Sequence, residues 1–233
     1  TMNHLMLHKV GIQSFYGQAF LPDVCELSTE MLPYTKSYFE ELLTTGRIKE
    51  IRPSEIWYQE REDFSENGLG VSMPSFPNQG FELLKGNAQF SGPILGGCLE
   101  SMYDCFDSSL YADSVQLTQK YKLFPTLEDW SGKILLLETS EERPSVELYR
   151  KMIQALKQYG IFDVVSGILV GKPQNEIHYE EYKAVLLEEL TDKDVSIVYN
   201  INVGHATPRC IVPFGVHAQV DVDAQVIRFD YNK

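Results

Sequence analysis

No Cys-x-x-Cys pair occurs in this chain, and its four cysteines, Cys25, Cys98, Cys105 and Cys210, are scattered. That argues against a zinc site or a disulfide framework and for free thiols in a reducing compartment. No apolar run approaches the roughly 20 residues of a membrane span, and no cationic segment followed by an apolar core marks an export signal. Positive charge is scarce as well: 20 Lys and Arg stand against 33 Asp and Glu, a formal net charge of −13. The charges are interspersed and form no basic stripe, so binding to a phosphate backbone lacks its electrostatic footprint. The Gly-x-Ser-x-Gly turn of many serine hydrolases is missing too. What remains is a protein expected in the cytoplasm, without membrane or nucleic acid as a partner and with length enough to bury a core.

The chain opens with "TMNHLMLHKVG", inside what reads as a helix, so the N-terminus is expected to be a cut. Met2, Leu5, Met6 and Val10 share one helical face there, with Gly11 closing it. "IQSFYGQAF" reads as a strand, residues 27–46 as a helix ending at Gly46, and "IKEIRPSEIWYQE" as a strand broken at Pro53. Residues 61–80, rich in Gly, Pro, Asn and Ser, read as a loop or lid. "GFELLKGNAQFSGPILGG" suggests a hairpin turning at Lys85-Gly86-Asn87, and the double glycine opens the helix "CLESMYDCF".

Beyond an irregular stretch to about residue 130, the pattern alternates as in βαβ units. "KILLLE", "VVSGILVGK" and "VSIVYNI" are apolar strands. Between them lie helices whose inner faces carry Tyr149, Met152, Ile153 and Leu156, then Tyr179, Tyr182, Leu186 and Leu190. Apolar strands with helical crossovers imply a parallel sheet in an α/β domain. "HAQVDVDAQVIRFDY" alternates on both sides of Asp221–Ala224, an antiparallel hairpin with one polar face.

In open α/β sheets, functional groups gather at the carboxyl ends of strands. Glu138 ends "KILLLE", and His205, one of only five histidines, follows "VSIVYNI" on a Gly-His-Ala turn. A carboxylate that accepts the Nδ1 proton of an imidazole orients the ring and leaves Nε2 free as a base. Each has a plainer reading, Glu138 as a cap or ion pair and His205 as a loop residue. His4 and His8 have metal-ligand spacing but no acidic third ligand in register. For a nucleophile, Cys98 opens a helix, where a thiol pKa is lowered; against Cys98–His205–Glu138 stands a buried packing cysteine.

Three stretches, "FSGPILGGCLESM", "GKILLLETSEERPSVELYRKMIQALKQYGIFDVVSGILVGKP" and "VSIVYNINVGHATPRCIVPFGVHAQVDVDAQVIRF", strongly resemble the C-terminal half of the LD-carboxypeptidase family of serine peptidases. That family includes the microcin C immunity proteins. "TMNHLMLHKVGIQSFYGQAF" resembles its helix and strand just after the nucleophile, whereas residues 21–80 resemble it little. The resemblance implies an α/β fold with a C-terminal swivelling β/β/α-type domain, preceded by the tail of a Rossmann-like N-terminal domain. It divides the chain into that tail at 1–20, a connecting or lid segment at 21–85, and at 86–233 the α/β domain carrying the triad Glu and His. It also implies a Ser-His-Glu triad in which Glu138 and His205 are two members, with the serine upstream of Thr1 in a missing N-terminal domain, so that this chain alone is inactive.

Cys98 stands where relatives commonly carry Asn after the glycine pair, a departure that removes any polar contact the Asn would make; the resemblance still leaves the nucleophile's role with the serine. The implied substrate is a small peptide or aminoacyl-nucleotide, as in a microcin C-like peptide-nucleotide, with terminal D-Ala of murein tetrapeptide and a non-catalytic fragment as alternatives. Trp57 is a candidate to stack on a nucleobase, against a packing role. No cofactor or metal is implied, and a homodimer is the assembly to test.

Overall fold

A computed structural model describes residues 1–233. The chain begins with α1 (Met2–Lys9) and β1 (Ser14–Tyr16), passes a π-helical turn at Phe20–Val24 and enters α2 (Pro33–Thr45). Residues 27–32, expected to be helical, lie outside α2. Proline lacks an N–H and has a fixed φ, so Pro33 suits the first turn and the helix starts there, with Leu32 as its N-cap. Next come β2 (Glu50–Ile51), β3 (Ile56–Tyr58) and β4 (Ser75–Pro77). The expected lid over 61–80 therefore contributes a strand, and β4 pairs antiparallel with β3 so that Trp57 faces Phe76.

The rest of the chain supplies β5 (Glu82–Lys85), β6 (Gln89–Cys98), the short α3 (Leu99–Tyr103), α4 (Ser114–Tyr121) and α5 (Leu127–Trp130). Then β7 (Ile134–Glu138), α6 (Val146–Tyr159), β8 (Gly167–Gly171), α7 (Tyr179–Glu189) and β9 (Ile197–Ile201) follow in βαβ order. β10 (Val212–Phe214), β11 (His217–Asp221) and β12 (Val226–Asp230) close it. Between residues 107 and 130, α4 and α5 occupy the stretch read as irregular; α4 buries none of its residues.

Eight strands form one mixed sheet in the order β2-β12-β11-β6-β7-β8-β9-β5. Its centre, β6 to β9, is parallel, as the apolar runs imply, and every residue of β7, β8 and β9 is buried. The β11–β12 hairpin is present as read, with Asp221 opposite Val226. The hairpin expected at Lys85-Gly86-Asn87 does not form: β5 pairs antiparallel with β9 at the far side of the sheet. β6 instead pairs with β11 along residues 89–93 and with β7 along residues 94–98.

Helix α6 docks through Tyr149, Met152, Ile153 and Leu156, all buried, its N-terminus capped by the Ser145 hydroxyl. Tyr149 stacks on Tyr182 of α7 with ring centres 4.0 Å apart, which ties the two crossover helices together over the sheet. This packing holds the carboxyl ends of β7, β8 and β9 in fixed register. No helix is long and apolar enough to cross a membrane.

Candidate active site

Glu138 is the last residue of β7, and its side chain is wholly buried. Two glycines make its slot. A Cβ on Gly171, at the end of neighbouring β8, would lie 2.7 Å from the Glu138 Cβ. One on Gly204, at φ +74, would lie 2.2 Å from Glu138 Oε2. Gly204 supplies both the left-handed turn after β9 and the space for the carboxylate.

His205 therefore comes down directly on that carboxylate, with Nδ1 2.8 Å from Glu138 Oε2. Glu138 Oε1 accepts from the Tyr16 hydroxyl at 2.5 Å. Tyr16 lies on β1, which pairs with β10, and its ring stacks on Phe214 at 5.3 Å. Burial, then the nearby Glu138 charge, raises the Tyr16 pKa, so its hydroxyl stays a donor. A carboxylate can only accept, so the proton facing Glu138 belongs on Nδ1.

Nε2 faces the open side, where Glu141 Oε2 lies 2.8 Å away on a side chain that is 63% exposed. Burial works to lower the His205 pKa. The hydrogen bond and charge of Glu138, joined by the Glu141 charge, outweigh it against the opposing Arg209 charge, and the pKa ends above the ordinary histidine value.

A cavity of about 590 Å³ opens over His205. Leu21, Pro22 and Phe64 line it on one side, while Arg61, Arg143 and Glu141 bring charge to it. This volume is in the range of small-molecule sites. Arg61 is spent internally: it pairs with Glu26 and donates to the carbonyls of Gly68 and Val71. Arg143 is freer, with Nε on Gln174 at 3.0 Å and a terminal nitrogen 3.8 Å from the exposed Glu62.

Of the residues singled out in the sequence, the structure brings Glu138 and His205 together. It puts Trp57 elsewhere: Trp57 is buried, stacked on Phe76 at 4.6 Å with the Lys172 ammonium 4.9 Å from its ring centre, and does not line the cavity. Cys98 is beside Glu138 in the sheet register, but its thiol donates to Glu100 at 3.4 Å rather than to His205. Burial, with the Glu138 and Glu100 charges, pushes that thiol up to about 12. The lowering expected from its helix N-terminus is overturned because α3 has only five residues and desolvation dominates. His4 bonds the Ser14 hydroxyl at 2.8 Å instead of pairing with His8.

Sequence reasoning missed Tyr16, Glu141 and Arg209. Glu141 stands three residues beyond Glu138, and Arg209 is a lone cation in the apolar run after the Gly-His-Ala turn, a signal open to notice.

Residues 91–220 match the family model described as the LD-carboxypeptidase C-terminal domain. A crystal structure of an MccF-like protein from Streptococcus pneumoniae in complex with AMP is 64% identical, with a TM-score of 0.98 over 100% of this chain and 67% of that one. The Escherichia coli microcin C7 self-immunity protein MccF is 25% identical over 224 residues, 92% of this chain and 58% of that protein. A Vibrio cholerae protein provisionally named a carboxypeptidase is 26% identical over 226 residues, covering 95% of this chain and 61% of that protein. The chain thus spans about three fifths of the length of these curated relatives.

Proposed function

Because the chain belongs to the LD-carboxypeptidase family through its C-terminal domain, we propose that it supplies the base and orienting carboxylate of a serine hydrolase cleaving an amide between an amino acid and a nucleotide-like group. The observation that carries this reading is the contact of 2.8 Å between His205 Nδ1 and the fully buried Glu138, where His205 lines a cavity of about 590 Å³. The AMP complex of the 64% identical relative supports the nucleotide half of the substrate.

In this mechanism a serine from sequence outside these 233 residues attacks the amide carbonyl. Nε2 of His205 takes the serine proton and returns it to the departing amine as the C–N bond breaks. Water, activated by the same nitrogen, then hydrolyses the acyl-enzyme. Glu138 keeps Nδ1 protonated and steadies the imidazolium that forms, while Tyr16 holds the carboxylate's other oxygen. Glu141, exposed at the rim, yields its contact with Nε2 to the serine while its charge stays beside the ring. Arg143 meets the phosphate-like group with its terminal nitrogens, and Phe64, 49% exposed on the rim, offers the aromatic surface for a base.

The test is release of free amino acid from an aminoacyl sulfamoyl adenosine by the whole protein, with a murein tetrapeptide as the comparison substrate. Turnover of the tetrapeptide alone overturns the nucleotide reading and favours carboxypeptidase action. The pH dependence follows from the sign of the His205 shift. Only the neutral ring accepts a proton, so kcat/KM falls as pH drops through the raised pKa. Glu141→Gln removes one charge that raises that pKa, so the acidic limb moves to lower pH. An unmoved limb contradicts the assignment of the titrating group.

A further inference from the structure

Arg209 is buried to 3% exposure directly behind the catalytic turn, and its guanidinium gathers three separate segments of the chain. Its Nε donates to the Gly204 carbonyl at 2.6 Å, the residue immediately before His205. One terminal nitrogen donates to Asp23 Oδ1 at 2.8 Å, and the other reaches both oxygens of Glu60, at 2.9 and 3.1 Å. Asp23 belongs to the π-helical turn at Phe20–Val24, and its other oxygen accepts from the Ala19 amide at 2.7 Å. Glu60 lies on the connection from β3 to β4 and also accepts from Gln174 at 2.8 Å and Thr207 at 3.2 Å.

We propose that Arg209 is a positioning residue for the base: it pins the Gly204 carbonyl, and so the height of the His205 ring over Glu138, to the two segments that wall the cavity. This rests on the reading of His205 as the base. The guanidinium anchors the backbone of the turn itself, one residue before the ring. On one side Gly204 is pressed against the Glu138 carboxylate; on the other its carbonyl is held by a charged donor whose two terminal nitrogens each meet a carboxylate. The same turn-and-loop pair contributes Leu21, Pro22, Arg61 and Phe64 to the cavity lining. A ligand that orders those walls therefore orders the base through one side chain.

Lysine keeps the charge of Arg209 but is a single compact donor that cannot span Gly204, Asp23 and Glu60 together. In the whole protein, Arg209→Lys is expected to fold, to leave KM within about threefold and to lower kcat by roughly 100-fold, the loss that a 1 Å misplacement produces. Its His205 ring ¹⁵N signals are expected to lose the single Nδ1-protonated form that Glu138 imposes, a change that a purely structural role would not cause. A kcat within twofold of wild type, with unchanged ring signals, overturns the proposal. Should Arg209→Lys fail to fold, Asp23→Asn, which preserves shape while removing one orienting charge, is read instead. A fall in kcat of roughly tenfold, a part of the same misplacement, supports the proposal, and a kcat within twofold overturns it. His205→Ala separates the two claims. If it retains turnover, the base reading fails; if it abolishes turnover while Arg209→Lys does not, only the positioning role fails.

Discussion

Glu138→Gln in the whole protein is expected to fold normally and to lose on the order of 10⁴ in kcat with little change in KM. Glutamine fills the slot between Gly171 and Gly204 without added bulk. Its difference is chemical. Glu138 accepts at both oxygens, from the Tyr16 hydroxyl and from His205 Nδ1. If the glutamine oxygen serves Tyr16, its NH₂ donates to Nδ1, and the imidazole must then carry its proton on Nε2. That nitrogen can no longer take one from a nucleophile. Active-site titration alongside kcat checks this, and a kcat within about tenfold of wild type removes Glu138 from the reaction, since a tenfold change is only about 1.4 kcal/mol of barrier.

Gly204→Ala perturbs the same pair by shape alone. At φ +74 a non-glycine residue costs about 1–2 kcal/mol, and the new methyl would lie 2.2 Å from Glu138 Oε2. That oxygen belongs to a buried side chain already held by Tyr16, so the turn itself must shift. We expect kcat to fall on the order of 100-fold, through displacement of His205 from its partner, together with a lower unfolding temperature. Paired kcat and thermal-unfolding measurements check it. A stable variant with wild-type kcat would show that the turn tolerates a side chain and that the close fit at Glu138 is unimportant.

The second half of the fold was legible because its signals are local. Apolar runs with helices of period 3.6 between them lead directly to β7, β8 and β9, and the strand-end rule then picks out Glu138 and His205. Partner choice was not legible. Nothing in "FELLK" says that β5 crosses to β9, since strand pairing is a long-range choice and β6 takes β11 and β7 instead. The same holds for the site: Tyr16 lies 122 residues from Glu138, and Asp23 and Glu60 lie 186 and 149 residues from Arg209, so β1, a π-helical turn and a loop meet these partners only in space. Cys98 shows the converse. Its local position promised a reactive thiol, and burial beside two carboxylates made an inert one.

The most direct test of the central claim, that Glu138 and His205 activate a serine contributed from outside residues 1–233, is fluorophosphonate labelling of the whole protein followed by peptide mapping. One labelled serine is expected, outside this segment, with labelling lost in His205→Ala. A label on a serine within residues 1–233, or a labelling rate untouched by His205→Ala, would contradict it.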